Sequence, residues 1–235
     1  MPSNYKRKIT ITNTQSDPIV GILLKHNTTK PLLIICHGYG SSMEHPAIKK
    51  ISESLYIRGH NVFTFNFSKS AQATAIEEQT KDIESIIKYF IEYKGVMLLA
   101  GSFGALSSSI AALQSKKVKG LITINGFFGT RHLGITSLRL YLLYKGASFF
   151  LPRYKHSWQF LKKAYQPRHI KIPVLVIHSS TDSIVFIKQS QLFYNSLSGQ
   201  KTFYTLTNAD HHLTAEQSVL EVVEAINKWL RTIIV

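Results

Sequence analysis

Sulfur is scarce in this sequence: there is one cysteine, Cys36, and there are three methionines among 235 residues. A single thiol excludes any disulfide within the chain. Cys36 closes the apolar run Leu32 to Cys36, so it reads as a buried structural side chain rather than a reactive one. Negative charge is scarce too, with 13 Asp and Glu against 28 Lys and Arg and a formal charge of +15. Such an excess attracts acidic partners in general. The cations are scattered in ones and twos, as at Lys49-Lys50, Lys116-Lys117 and Lys162-Lys163, without an arginine-rich run or interleaved aromatics, which argues against a specific nucleic-acid partner. No long uninterrupted apolar segment occurs. The nearest, from Leu138 to Leu151, is broken by Arg139 and Lys145 and followed by Pro152, which excludes a transmembrane helix there. The basic N-terminal residues lead into alternating polar ones and not into the apolar stretch of a secretory signal, so a cytoplasmic location is expected, with peripheral attachment to a membrane as the variant. Phosphate-cradling and dinucleotide-binding glycine motifs are missing, as are His and Cys clusters at metal-ligand spacing, so neither cofactor nor metal is expected.

What is present is enough apolar sequence, 44% hydrophobic, to bury one substantial core. The expected organisation is one domain over residues 1–235 with an insertion at about 129–171. Residues 5–13 and 18–26 form two β-like runs around Gln15-Ser16-Asp17-Pro18, an N-terminal hairpin. Leu32 to Cys36, Val96 to Ala100, Leu121 to Asn125 and Pro173 to His178 are near-continuously apolar, as strands buried on both faces of a parallel sheet must be. Asn61 to Phe67 and Thr202 to Leu206 add two more strands. Helical segments alternate with them: one has Pro46 in its first turn, one opens at the capping box Thr74 to Glu77, one follows Ser102 to about Lys117, and one begins at Thr214-Ala215-Glu216-Gln217. This alternation predicts a doubly wound, mostly parallel α/β sheet whose ligands sit at the carboxyl ends of the strands. The insertion, rich in Leu138, Tyr141, Leu142, Phe149 and Phe150, reads as a small helical cap over one such end.

Chemistry concentrates where strands stop. In Ala100-Gly101-Ser102-Phe103-Gly104 a serine sits between small residues at a strand-to-helix turn, the pattern of a nucleophile elbow with alanine in the first glycine position. Asp182 follows the strand ending at His178, and His211 follows the strand that begins at Thr202. A serine hydroxyl needs an imidazole to take its proton, and the imidazole needs a carboxylate to fix its tautomer. The adjacent His212 is the alternative base, Asp210 reads as a loop-stabilising carboxylate, His37 as an orienter of its own loop, and His178 as a satisfied core histidine.

With these residues in the order serine, acid, histidine, the sequence resembles the α/β-hydrolase superfamily over nearly its whole length. The resemblance is carried by His37-Gly38-Tyr39-Gly40, the Ser102 elbow, the Asp182 loop and Asp210-His211. It is nearest to small bacterial esterases with a short cap, of the acylglycerol-lipase, feruloyl-esterase and aminopeptidase-like group. The resemblance implies an α/β-hydrolase fold, catalytic roles for Ser102, Asp182 and His211, and an oxyanion hole built from the backbone N–H groups of Tyr39 and Phe103. Three departures stand out: Ser68-Lys69-Ser70-Ala71 replaces an acidic, glycine-rich loop, Ser179 stands where relatives often carry glycine, and Phe186 where they often carry proline.

The function expected is hydrolysis of small-molecule carboxylic esters through an acyl-enzyme, with the apolar cap favouring medium acyl or aryl groups. A peptidase or thioesterase on the same fold is the alternative, since fold and triad do not choose the leaving group. The absence of acidic residues from 129–171 weighs against a peptidase that recognises a free amino terminus. A non-catalytic basic module that binds an anionic membrane or polymer is the remaining reading, and an anionic membrane surface the further partner considered.

Overall fold

The computed structural model describes residues 5–71, 76–129, 160 and 164–233. The N-terminal runs form β1 (Lys6–Thr12) and β2 (Pro18–Leu24), an antiparallel hairpin with Lys6 opposite Leu24. There follow β3 (Leu32–Cys36), α1 (Pro46–Ile57), β4 (Asn61–Asn66), α2 (Ile76–Tyr89), β5 (Val96–Gly101), α3 (Gly104–Gln114) and β6 (Val118–Ile124). Beyond a short 3-10 turn at Pro167–His169 come β7 (Val174–Ser179), α4 (Lys188–Ser196), β8 (Lys201–Leu206) and α5 (Glu216–Ile233). The expected cap falls on 129–171, most of which lies outside the described residues, and Thr74 of the α2 capping box lies outside them too.

The strands make one eight-stranded sheet in the order β1-β2-β4-β3-β5-β6-β7-β8. From β4 to β8 every neighbour pair is parallel, and β2 joins β4 antiparallel. Alternation explains the continuous apolar strands. In β3, Leu32, Ile34 and Cys36 face a layer with Ile83 and Ile86 of α2 and Phe90 just after it, while Leu33 and Ile35 face Leu55 of α1 and Ile226 and Trp229 of α5. Both faces are thus dry, and each such aliphatic side chain contributes about 1.5–3 kcal/mol by leaving water. Between β7 and β8 the sequence does not announce α4, whose Lys188-Gln189-Ser190-Gln191 start follows an N-cap, Ile187, that offers no capping side chain.

One polar cluster sits inside this apolar frame. Asp82 of α2, fully buried, accepts hydrogen bonds from Asn13 Nδ2 at 2.7 Å, the Ser68 N–H at 2.8 Å and Ser68 Oγ at 3.1 Å. Burial pushes its carboxyl up, and these donors oppose the shift. Asn13 Oδ1 meanwhile accepts the N–H groups of Gln15 and Asp17. The cluster joins the β1–β2 turn to α2 and to the Ser68 loop at the carboxyl end of β4. Asn13→Ala is expected to lower stability by about 1–3 kcal/mol by leaving buried Asp82 and two loop N–H groups short of partners. The check is urea unfolding, with the midpoint falling while the denaturant slope stays unchanged.

Candidate active site

Four loops meet at the carboxyl ends of β3, β5, β7 and β8. Ser102 occupies the turn between β5 and α3 with φ at +47°, a left-handed conformation that costs a non-glycine residue energy and turns its side chain out of the sheet. The turn is held by Ser102 N–H donating to Ile124 O at 3.0 Å and Phe127 N–H donating to Ser102 O at 2.9 Å. Space dictates the glycines around it. A Cβ on Gly104 would lie 2.5 Å from His37 O and 2.8 Å from Cys36 O, and one on Gly38 would lie 2.8 Å from Ser102 Cβ. At Gly101 nothing stands within 4 Å.

His211 Nε2 lies 2.9 Å from Ser102 Oγ, and its Nδ1 lies 2.7 Å from Asp182 Oδ2. The Nδ1–H donates to the carboxylate, which leaves the Nε2 lone pair facing the serine hydroxyl. Asp182, 5% exposed, also accepts the N–H groups of Ile184 and Val185 at 2.9 Å each on Oδ1. Burial would raise its pKa, yet donation from His178, His211 and Val185 outweighs it and holds the carboxyl well below the usual carboxylate range. The structure therefore brings Ser102, His211 and Asp182 into one hydrogen-bonded row. His212 is exposed and turns toward His45, with ring centroids 6.3 Å apart. Asp210 accepts the Thr214 N–H at 2.9 Å as well as the Thr214 hydroxyl, which ties the loop before α5; the first carbonyl acceptor of that helix is Ala215 O, one residue beyond the Thr214 cap that the sequence pattern suggests.

On the opposite side of Ser102, His37 Nδ1–H donates to Gly38 O at 2.8 Å and its Nε2 accepts the Phe67 N–H at 3.4 Å. This fixes the loop that carries Tyr39. Burial lowers the pKa of His37, which keeps the ring neutral and suited to donating at one nitrogen while accepting at the other. The N–H groups of Tyr39 and Phe103 donate to no backbone acceptor among the described residues. Phe103 and Phe127 stack at 5.3 Å beside the serine, both half-exposed. A groove of about 500 Å³, lined by residues such as Tyr5, Ile22, Met43 and Tyr56, shares no residue with this site.

Three supporting residues, Asn125, Thr181 and Ser190, escape the sequence reading, while His178 is the satisfied core histidine it expects. Asn125, at φ +48° after β6, donates to Asp210 O and His211 O at 3.3 and 3.1 Å and accepts the Ser179 N–H at 2.9 Å, so it clamps the histidine loop to β7. The hydroxyls of Ser179 and Thr181 both donate to Ala209 O. Ser179, read from sequence as a neutral replacement for glycine, thus anchors the chain two residues before His211. His178, fully buried, donates from Nε2 to Val185 O at 2.8 Å with Asp182 Oδ2 at 3.4 Å, while its Nδ1 accepts the Ser190 hydroxyl at 2.6 Å. An asparagine in a left-handed turn is the only one of these that leaves a sequence signal, because that side chain tolerates the conformation.

Comparison with known proteins supplies the fold's name. Est1E from Butyrivibrio proteoclasticus superposes with a TM-score of 0.77 at 15% identity, covering 97% of this chain and 98% of its own. A dienelactone hydrolase from Anabaena variabilis gives 0.74 at 15% identity over 98% of this chain and 99% of its own. An esterase of Pyrococcus furiosus gives 0.76 at 19% identity over 97% and 92%. The chain has the α/β-hydrolase fold, with the expected antiparallel hairpin before the parallel strands. A family model described as PhoPQ-activated pathogenicity-related protein matches residues 152–234, a stretch that contains Asp182 and His211 but not Ser102. No curated protein matches the sequence.

The glycine geometry predicts a contrast. Gly104→Ala is expected to cost about 1–3 kcal/mol, since backbone and not a flexible side chain must give way. Gly101→Ala, facing open space, is expected to change stability by no more than about 0.5 kcal/mol. Thermal unfolding of the two variants checks this. Acid unfolding supplies a second test. Because the Asp182 pKa is depressed on folding, its contribution is present above the unfolded pKa near 4 and is lost as pH falls toward the folded value. Asp182→Asn should therefore flatten the fall in stability below about pH 4.

Proposed function

We propose that this protein is a serine hydrolase of carboxylic esters that works through an acyl-enzyme on Ser102, His211 and Asp182. The reading rests on one observation above all: the unbroken row from Asp182 Oδ2 through His211 to Ser102 Oγ, at 2.7 and 2.9 Å. Ser102 Oγ attacks the ester carbonyl carbon while its proton passes to His211 Nε2. Asp182, kept ionised by its N–H donors, stabilises the imidazolium and holds its orientation. Negative charge on the carbonyl oxygen is met by the N–H groups of Tyr39 and Phe103, two donors held in place before the reaction begins. The C–O bond to the alcohol breaks, the alcohol leaves with the proton from His211, and Ser102 carries the acyl group as an ester. Water then gives a proton to His211 and its oxygen attacks the acyl carbon. The Ser102 oxygen departs, recovers that proton, and the carboxylic acid is released.

The stacked rings of Phe103 and Phe127 beside Ser102 favour a medium acyl or aryl group, because half-exposed aromatic surface gains by covering apolar substrate. The structural neighbours named as an esterase and a dienelactone hydrolase agree with ester chemistry.

Ser102→Ala is expected to abolish labelling by a fluorophosphonate probe and to cut ester turnover by roughly 10⁴–10⁶-fold with unfolding unchanged. Retained labelling would remove Ser102 from its role. His211→Ala should fall as far, and His212→Ala by less than about tenfold. Equal loss in both would transfer the role of base or divide it. Phe127→Ala is expected to raise KM for octanoyl esters about tenfold and for acetyl esters little, read from a chain-length series.

A further inference from the structure

The positive charge has a place in the fold. Six strands, β4, β3, β5, β6, β7 and β8 in sheet order, are parallel, so their amino ends share one edge of the sheet, opposite the site. Each of the six is entered through a cation: Arg58 before β4, Lys30 before β3, Lys94 before β5, Lys116 and Lys117 before β6, Lys171 before β7, and Lys201 at the first position of β8. Neighbouring strands lie about 4.8 Å apart, so the row is about 25 Å long. Lys30, Arg58, Lys94, Lys116 and Lys171 are exposed. Within these entry segments the sole acid is Glu92, and Glu224 of α5 stands 3.9 Å from Arg58. At the opposite edge, among the described residues, acids balance the cations: Lys49, Lys50, Lys69, Lys81 and Lys188 are set against Glu44, Glu77, Glu78, Asp182, Asp210 and Glu216, and three of these lysines are ion-paired, Lys49 to Glu44, Lys50 to Glu216 and Lys81 to Glu77.

Local structure accounts for part of this row. The helices run back against the strands, so their carbonyl ends collect at the same edge, and lysines serve them: Lys30 Nζ donates to Gly59 O, Lys117 Nζ to Ile91 O, and Lys201 Nζ to Tyr194 O and Leu197 O. An ammonium has three donors, so even Lys201 keeps one for an outside acceptor. Capping does not account for Lys94 and Lys116, whose amines reach no helix carbonyl among the described residues, nor for the large apolar side chains at the same helix ends. Ile57, Tyr89 and Ile91 are 67%, 49% and 63% exposed and stand beside Arg58, Lys88 and Lys94.

We infer that this amino-end edge is a docking surface for an anionic lipid bilayer, with the row of amines on the phosphates and Ile57, Tyr89 and Ile91 entering the headgroup layer. Exposed aliphatics among lysines gain from a bilayer interface, whereas a nucleic-acid backbone offers them nothing. Docked this way, the Ser102 site faces away from the membrane.

The test is co-sedimentation of the full chain with vesicles of phosphatidylglycerol and phosphatidylcholine against vesicles of phosphatidylcholine alone. Binding is expected to the first only, and to weaken as salt rises to about 0.5 M. The triple variant Lys94→Gln, Lys116→Gln, Lys171→Gln should bind roughly a hundredfold more weakly, at about fivefold per lysine. The double variant Ile57→Ser, Ile91→Ser should also weaken binding while keeping its salt dependence. Lys69→Gln with Lys188→Gln, at the other edge, and Ser102→Ala should bind as wild type, which separates this surface from the proposed chemistry. Circular dichroism confirms that each variant is folded. Equal binding to neutral vesicles, unchanged binding by the triple variant, or tighter binding to a DNA duplex than to the anionic vesicles would overturn the inference.

Discussion

Everything at the site depends on how closely two pieces of backbone pass. Where β3 exits beneath the start of α3, a single methyl on Gly104 would stand 2.5 Å from the carbonyl oxygen of His37. That contact sets the Tyr39 loop against the Ser102 turn, two segments more than sixty residues apart in the chain. It also explains why the left-handed backbone of Ser102 persists. The turn is fixed by β6 through Ile124 O and by Phe127 N–H, so relaxing one residue would break bonds to two neighbours. The sheet's dry interior on both faces supplies the rigidity against which such a turn can be held.

Much of this was legible in the sequence, and the reason is physical. A strand buried on both faces must be apolar at every position, so Leu32 to Cys36 and Val96 to Ala100 announce themselves, and a strand that stops at Ser102, Asp182 or His211 marks the edge where such sheets do chemistry. What stayed hidden was support. Asn125, Ser179 and Thr181 are single polar residues near strand ends, and the histidine loop they hold lies tens of residues away. Nothing local distinguishes Ser190, which bonds His178, from any serine on a polar helix. The helix α4 was hidden for a related reason, since its start carries no capping side chain. At Thr214 the local pattern pointed to a cap, but the helix begins one residue later, with Ala215 O as its first acceptor.

Acidic residues are few, and the aspartates are placed with economy. All four in the chain, Asp17, Asp82, Asp182 and Asp210, accept a backbone N–H from a loop, those of Ser70, Ser68, Val185 and Thr214 among them. Loop N–H groups have no ladder or helix to satisfy them, and a carboxylate is their strongest acceptor. The glutamates are used differently, as at Glu44, Glu77 and Glu216, where they meet lysines at the surface. Such exposed pairs add little to stability. The chain therefore keeps its short carboxylates for geometry, while its 28 Lys and Arg outnumber the 13 acids that could neutralise them.

The outermost strands of the sheet, β1 and β8, differ in a way that bears on crowded solutions. Any rim of unpaired N–H and C=O groups invites a strand from another molecule. On β1 the first three residues, Lys6, Arg7 and Lys8, are exposed cations, and an incoming copy would bring the same charges. On β8 the open rim presents Thr202, Tyr204 and Thr205 with a single lysine at its start. Growth of a rim-to-rim filament consumes two adhesive edges on every subunit, whereas this molecule guards one of its two. Stray pairing through β8 would end at two molecules back to back and have nowhere to propagate.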